Sequence, residues 1–155
     1  MALLSPAARQ GTGPLARLMR EGGLYCVFQP LADLREGQVY AHEALIRGPQ
    51  NTPLHTPDKL LELARHEGIL QDFELLCVYT AMEQWGRHDA PGRLFVNISA
   101  DALVHGVQLI GATELGNTVR SLGLSARMLV LEITEHERVT DMPQLRQAIK
   151  AVHAC

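Results

Sequence analysis

Apolar and polar positions along the chain fall into short apolar runs, typical of strands, and longer periodic stretches, typical of helices. Two apolar and β-branched runs, LYCVFQPLADL and VYAHEALIR, are separated only by the turn residues REGQ. Strands joined this tightly pair antiparallel, so the two runs predict a β-hairpin. Further along the chain, RLFVNIS and RMLVLEIT predict two more strands.

Helical patterns fill the intervals between the later strands. The triplet Thr56-Pro57-Asp58 favours a helix start, with a hydroxyl for capping, a ring that presets φ and an acid that suits the helix dipole. A second helix is predicted after Gly68, and further helical regions at 99–122 and from about 141 to 153. Because strands alternate with helices after the hairpin, the expected fold class is α/β with parallel strands.

The first residues differ in composition from the rest of the chain. Residues 1–13 are rich in Ala, Gly, Ser and Pro, and the segment Pro14–Glu21 predicts a short helix that ends at Gly22-Gly23. We therefore expect residues 1–23 to be a linker or connector and residues 24–155 to form the domain itself.

Composition narrows the class of protein. The chain has 155 residues, 46% of them apolar, and a formal charge of -3, which suits one domain with a real core. This charge argues against DNA or RNA as a partner. Three cysteines without a CxxC pair indicate neither a disulfide framework nor a structural zinc site, so a reducing cytoplasm is expected. The sequence lacks an apolar run of about 18 residues, so no membrane segment is predicted.

Three polar residues lie within apolar strands, where burial is costly without a partner: Glu43, Asn97 and Glu132. Because side chains alternate along a strand, one face of each strand is apolar and the other carries these oxygens. Two carboxylates and an amide oxygen suit Mg²⁺ or Mn²⁺ if the strands bring them together. Taken singly, each residue also fits an ion pair or a turn, and Arg47 is either a salt-bridge partner of Glu43 or an anion ligand.

Other chemistries find little support. The pair His42-Glu43 begins like the HExxH motif of zinc peptidases, but Ile46 stands where the second histidine is required. The chain contains no GxSxG, P-loop or GxGxxG motif.

Four sequence blocks together resemble a known family. FQPLADLREGQVYAHEALIR, LLELARHEGI, LFVNIS and LVLEITE occur in that order, and they resemble the first half of the EAL domain, the bacterial phosphodiesterase that hydrolyses cyclic di-GMP. The likeness runs over about residues 24–153. It implies a partial, truncated TIM-type (β/α)8 barrel with an antiparallel first strand and a site at the C-terminal mouth of the barrel.

The resemblance also implies roles for individual residues. By position, the catalytic ligands of a Mg²⁺ or Mn²⁺ ion are Glu43, Asn97 and Glu132, and the substrate-binding residues are Gln29, Leu45 and Arg47. Leu45 would pack against the bound dinucleotide and Arg47 would meet a phosphate. In the family, a metal-activated water opens one phosphodiester of cyclic di-GMP to give linear pGpG.

The resemblance leaves several alternatives open. The Asp-Asp pair and later lysine of the family's second half do not occur after Glu132 in these 155 residues, so little or no turnover is expected from this chain alone. The missing half would come from another chain, or the sequence is a fragment, or the open barrel edge swaps with a neighbour in a homo-oligomer. The rival hypothesis is a non-catalytic dinucleotide receptor or a protein-interaction module.

Overall fold

The computed structural model describes residues 4–88, 92–134 and 141–155. The helices in these ranges are α1 Pro6–Gln10, α2 Pro14–Glu21, α3 Pro57–His66, α4 Leu70–Gly86, α5 Ala100–Ile110, α6 Ala112–Ser121 and α7 Met142–His153. The strands are β1 Tyr25–Asp33, β2 Gln38–Arg47, β3 Arg93–Ser99 and β4 Leu129–Thr134, with a 3-10 turn at Ala126–Met128 before β4. The predicted hairpin, the two later strands and the helices between them are confirmed. The last residue of the LVLEITE block, Glu135, lies outside the described residues.

The strands form one sheet in the order β1-β2-β3-β4. β1 and β2 pair antiparallel, whereas β2 with β3 and β3 with β4 pair parallel. Each parallel pair is joined through helices that cover one face of the sheet. The molecule is therefore part of a (β/α) barrel whose first strand runs against the others, as expected.

The apolar face of the sheet packs on α4 and α5. Trp85 of α4 is 4% exposed, and its ring centroid lies 4.9 Å from that of Phe28 on β1 and 4.9 Å from that of His42 on β2. Strand residues of this core include Cys26, Ala44, Leu94, Val96 and Ile98. Residues of the opposite parity, among them Glu43 and Asn97, therefore lie on the other face.

Two predicted helix ends can be compared with the structure. α2 ends at Gly22, whose φ of 78° lies in the left-handed region that glycine adopts without strain, as predicted. At the start of α3 the expected cap is wrong: the Thr56 side chain makes no capping hydrogen bond. Pro57 and Asp58 do occupy the first turn, so ring geometry and charge mark this start without the hydroxyl.

The N-terminal helices pack on α3 and α4 in a second apolar cluster. Leu15 and Met19 of α2 contact the cluster formed with Leu60 and Phe73, and each is at most 1% exposed. Their burial fixes residues 4–23 against the domain, whereas the assignment of residues 1–23 as a connector stays a prediction. No helix in the described ranges is long and apolar enough to cross a membrane.

Candidate functional site

Two of the predicted site residues are in direct contact. Asn97 on β3 donates a hydrogen bond through Nδ2 to Oε1 of Glu43 on β2, at 2.7 Å, although 54 positions separate them in sequence. Both side chains are half-buried. Since Nδ2 is the donor, the carbonyl oxygen Oδ1 of Asn97 is the atom left to accept a cation or a donor.

Glu132 lies on the next strand beside this pair. β3 and β4 are parallel, and Asn97 and Glu132 are direct partners in their register. Residues that face each other across adjacent strands project to the same side of the sheet, so Glu132 shares the face of Asn97. Its side chain is exposed.

The three predicted substrate-binding residues lie on β1 and β2. Gln29 is the register partner of Glu43 across the antiparallel pair and is exposed. Leu45 and Arg47 follow Glu43 at alternate positions of β2, which places them on its face. The register partner of Glu43 on β3 is Phe95, two positions before Asn97, so Gln29, Glu43, Asn97 and Glu132 form a row that crosses the four strands with a two-residue step between β2 and β3.

Arg47 does not pair with Glu43. Its Nη1 donates to the carbonyl of Ile46 at 2.8 Å, while Glu43 accepts its hydrogen bond from Asn97. The sequence allowed Arg47 to be either a salt-bridge partner of Glu43 or an anion ligand. In the structure the salt bridge is not formed.

A cavity of ≈ 290 Å³ lies between the sheet and helices α3 and α4. Leu45, Asn97 and Thr134 line it from β2, β3 and β4, and Glu74 of α4 lines it from the helical side. Of the six predicted site residues, Leu45 and Asn97 line this cavity, whereas Gln29, Glu43, Arg47 and Glu132 do not.

Glu74 and Ser99 are site neighbours that the sequence reasoning missed. Glu74 is only 9% exposed and accepts hydrogen bonds from the backbone N–H of Ser99 at 3.0 Å and from its hydroxyl at 2.6 Å. The Ser99 hydroxyl in turn caps α5 by accepting from Ala102 N–H. The signal present in the sequence is a serine directly after a strand and before a helix; its carboxylate partner lies 25 positions away.

Burial keeps two neighbouring cysteines protonated. Desolvation raises the pKa of Cys26 to about 12, against a smaller lowering by Arg47. Burial likewise raises the pKa of Cys77 well above its usual value. Both thiols line the cavity, but neither supplies a thiolate nucleophile near neutral pH.

The candidate ligands Glu43, Asn97 and Glu132 offer hard donors, namely carboxylate and amide oxygens from three strands. Such donors fit Mg²⁺ or Mn²⁺ and do not fit a thiolate-preferring metal. Within the described ranges no group of three His, Cys, Asp or Glu side chains is arranged to hold a metal ion. The candidate set includes only two acids, and its third member is the amide of Asn97.

The fold and this row define the class of protein. It is a (β/α) barrel segment with a carboxylate and amide site at the carboxyl edge of its sheet, the edge where barrel enzymes place their chemistry. A family model for the EAL domain matches residues 14–155. The chain therefore belongs to the EAL domain family, and the resemblance in the sequence is confirmed.

Individual proteins are similar to this chain. A Pseudomonas aeruginosa protein named cyclic di-GMP phosphodiesterase PA2567 is 32% identical over 126 residues, covering 78% of this chain and 21% of that protein. The Xanthomonas citri FimX EAL domain in complex with c-diGMP matches with a TM-score of 0.74 at 20% identity, covering 90% of this chain and 55% of the other. The Klebsiella pneumoniae BlrP1 manganese/cy-diGMP complex matches with a TM-score of 0.70 at 23% identity, covering 85% and 32%.

These shares show how much of each relative corresponds to this chain. The chain spans 21% of the curated phosphodiesterase and between 32% and 55% of the two solved chains. At these identities the solved structures establish the fold.

Proposed function

We propose that this chain supplies the first half of the active site of a cyclic di-GMP phosphodiesterase, which hydrolyses the cyclic dinucleotide to linear pGpG. The observation that carries the proposal is the hydrogen bond from Asn97 to Glu43 at the carboxyl edge of the sheet, with Glu132 beside Asn97 in register. Relatives named as cyclic di-GMP phosphodiesterase or solved with c-diGMP and manganese support it.

Glu43, Asn97 and Glu132 would hold a Mg²⁺ or Mn²⁺ ion. When bound, such an ion acidifies water and neutralises charge that develops on the phosphoryl oxygens. The Asn97 amide presents Oδ1 while its Nδ2 holds Glu43 in place, so both side chains are oriented before the ion arrives. Fixed ligand geometry of this kind reduces the cost of ordering the site.

The substrate would lie across β1 and β2. Arg47, at the end of β2, would bind a phosphate through its planar guanidinium, which suits two oxygens at once. Leu45, on the same face of β2 as Glu43, would pack on the dinucleotide, and Gln29 would contact it from β1. Of the six predicted site residues, Arg47 alone carries a cationic side chain.

We propose a cytoplasmic location and no turnover by the 155 residues alone. All three cysteines are free thiols, one of them exposed, which fits a reducing compartment. The EAL pattern places further acids and a lysine in its second half, beyond the residues that this chain contributes.

The decisive experiment measures three quantities: Mn²⁺ binding by the 155-residue chain, cyclic di-GMP binding, and pGpG formation by chromatography. We expect Mn²⁺ binding without turnover, and turnover once the second half of an EAL barrel is supplied in trans or fused after Cys155. In that completed barrel, Asn97→Ala should abolish turnover, whereas Asn117→Ala, an exposed amide on α6, should leave it unchanged.

Each contrary result identifies the part of the proposal that fails. Robust pGpG formation by the chain alone would contradict its dependence on the second half. Absence of Mn²⁺ binding would contradict the ligand set. Metal-independent binding of cyclic di-GMP by a completed barrel that does not hydrolyse it would favour the receptor hypothesis.

A further inference from the structure

Two buried carboxylates lie close together at the start of α4, and each accepts two hydrogen bonds from one serine. Asp72 also lies 3.6 Å from Nε2 of His105 on α5. Asp72 is 6% exposed and accepts from the N–H and the hydroxyl of Ser5, each at 2.7 Å. Glu74 is 9% exposed and accepts from the N–H and the hydroxyl of Ser99 at 3.0 and 2.6 Å. In both cases the serine hydroxyl also accepts from a backbone N–H three residues on, at the start of a helix.

The serine partners of the two carboxylates lie in different parts of the molecule. Ser5 precedes α1, in the N-terminal segment. Ser99 ends β3, two positions after Asn97, and its contact therefore fixes the backbone that carries the Asn97 amide. A buried carboxylate is costly unless charge-assisted hydrogen bonds offset its desolvation. The two hydrogen bonds from Ser99 supply this offset for Glu74, so the carboxylate and the end of β3 hold each other in place.

We propose that Glu74 is a positioning residue for the metal site: it holds the end of β3 so that the Asn97 amide meets Glu43. The proposal rests on the proposed function, in which Asn97 and Glu43 are ligands. Glu74 acts through Ser99, because both of its oxygens accept from that residue.

The effect of Glu74 on metal affinity can be estimated from residues that hydrogen-bond to metal ligands in other proteins. Hydrogen-bond partners that orient metal ligands typically contribute 10–100-fold to metal affinity. Removing the charge of Glu74 weakens its hold on the Ser99 N–H and lets the strand end shift, since a metal site tolerates errors of only about 0.5 Å.

The test compares Glu74→Gln with Asp72→Asn, a matched variant that removes the same charge from the other contact on the same helix. Mn²⁺ affinity is measured by the loss of the free-ion electron paramagnetic resonance signal on titration into the 155-residue chain. We expect Glu74→Gln to weaken Mn²⁺ binding by about 10-fold or more and Asp72→Asn to leave it within twofold, with both variants folded by circular dichroism.

A second measurement needs no metal. The side-chain amide of Asn97 gives its own NMR signals, whose position and exchange rate report the hydrogen bond to Glu43. We expect Glu74→Gln to shift these signals and speed their exchange, and Asp72→Asn to leave them unchanged. If the unmodified chain binds no Mn²⁺, the proposed function fails, and this measurement still decides the positioning role.

Equal effects of the two charge variants on the Asn97 signals, or no effect of either, would overturn the proposal. Should Glu74→Gln not fold, Ser99→Ala and its matched control Ser5→Ala decide in the same way. Ser99→Ala should perturb the Asn97 amide and Ser5→Ala should not.

Discussion

At the scale of single residues, the chemistry available to Glu43 depends on which neighbour donates a hydrogen bond to its carboxylate. A half-buried acid needs a donor, and the structure provides an amide from the next strand in place of the arginine four positions along its own. This choice matters chemically because an amide partner leaves the net negative charge of the acid available to a cation, whereas an arginine would cancel it.

Loss of a residue that only hydrogen-bonds to a metal ligand typically weakens metal binding by roughly 10–100-fold. Glu43→Gln should weaken Mn²⁺ binding more than this, because a ligand and its charge are lost together. Glu36→Gln provides the control, since Glu36 is an exposed acid in the turn of the same hairpin. Calorimetric titration of both variants with Mn²⁺ checks this, and equal affinities would remove Glu43 from the ligand set.

The cysteines give a prediction about pH. Because burial raises the pKa of Cys26 to about 12 and that of Cys77 well above its usual value, we expect both thiols to stay protonated and unreactive near pH 8. A chromogenic disulfide reagent should modify only the exposed Cys155 of the native chain and all three thiols in denaturant.

The raised thiol pKa values also determine how folding stability changes with pH. The unfolded chain loses its thiol protons near pH 9 and the folded chain holds them to higher pH, so folding stability is complete below about pH 9 and falls above it. Native reaction of two or three thiols at pH 8 would contradict the raised pKa of Cys26 and Cys77, and Cys155→Ser serves as the blank.

At the scale of elements, a distant acid caps a helix start that its own sequence leaves uncapped. α2 is preceded by Gly13 and has no side-chain cap of its own, but the carboxylate of Glu67 accepts from the N–H groups of Leu15 at 2.8 Å and Ala16 at 3.0 Å. A Cβ at position 13 would overlap this carboxylate. Glycine at this position therefore leaves room for the Glu67 carboxylate to approach the start of α2.

Glu67→Ala should lower the free energy of unfolding by about 1–2 kcal/mol, the usual cost of losing a helix cap with its charge. An eight-residue helix such as α2 has little stability of its own, so its amide exchange should also increase selectively. Glu62→Ala is the matched control, because Glu62 is an exposed acid of α3 paired only with Lys59 in the described structure. Chemical denaturation of both variants measures the difference, and similar midpoints would show that the Glu67 contact contributes nothing.

At the scale of the whole molecule, the N-terminal segment shares one apolar cluster with the barrel helices. Leu15 is 0% exposed and packs with α3 and α4 residues, whereas Leu34 at the hairpin turn is 97% exposed. The two leucines therefore provide a direct comparison of a buried and an exposed apolar side chain in one chain.

Leu15→Ala should cost about 2–5 kcal/mol of folding stability, through lost transfer free energy and the cavity that remains. Leu34→Ala should leave the denaturation midpoint unchanged. Thermal and chemical unfolding followed by circular dichroism test both. An equally small effect at Leu15 would mean that residues 4–23 are only loosely attached, as a connector would be.

The sequence by itself determined the hairpin, the two later strands, the presence of helices between them and the family. Those features depend on local periodicity, turn residues and four quoted blocks, all readable within a few tens of positions. It also placed Glu43, Asn97 and Glu132 on one face of their strands, since alternation is a local property.

Only the tertiary structure decided which polar groups meet. The partner of Glu43 lies 54 positions away, and the serine partners of Asp72 and Glu74 lie 67 and 25 positions away. The choice of Asn97 over Arg47, the role of Glu74 and the capping of α2 by Glu67 all depend on strand register and helix packing. A residue type states what it can bond, whereas the fold determines which of many equivalent donors comes within 3 Å, because that distance is set by the packing of the whole core.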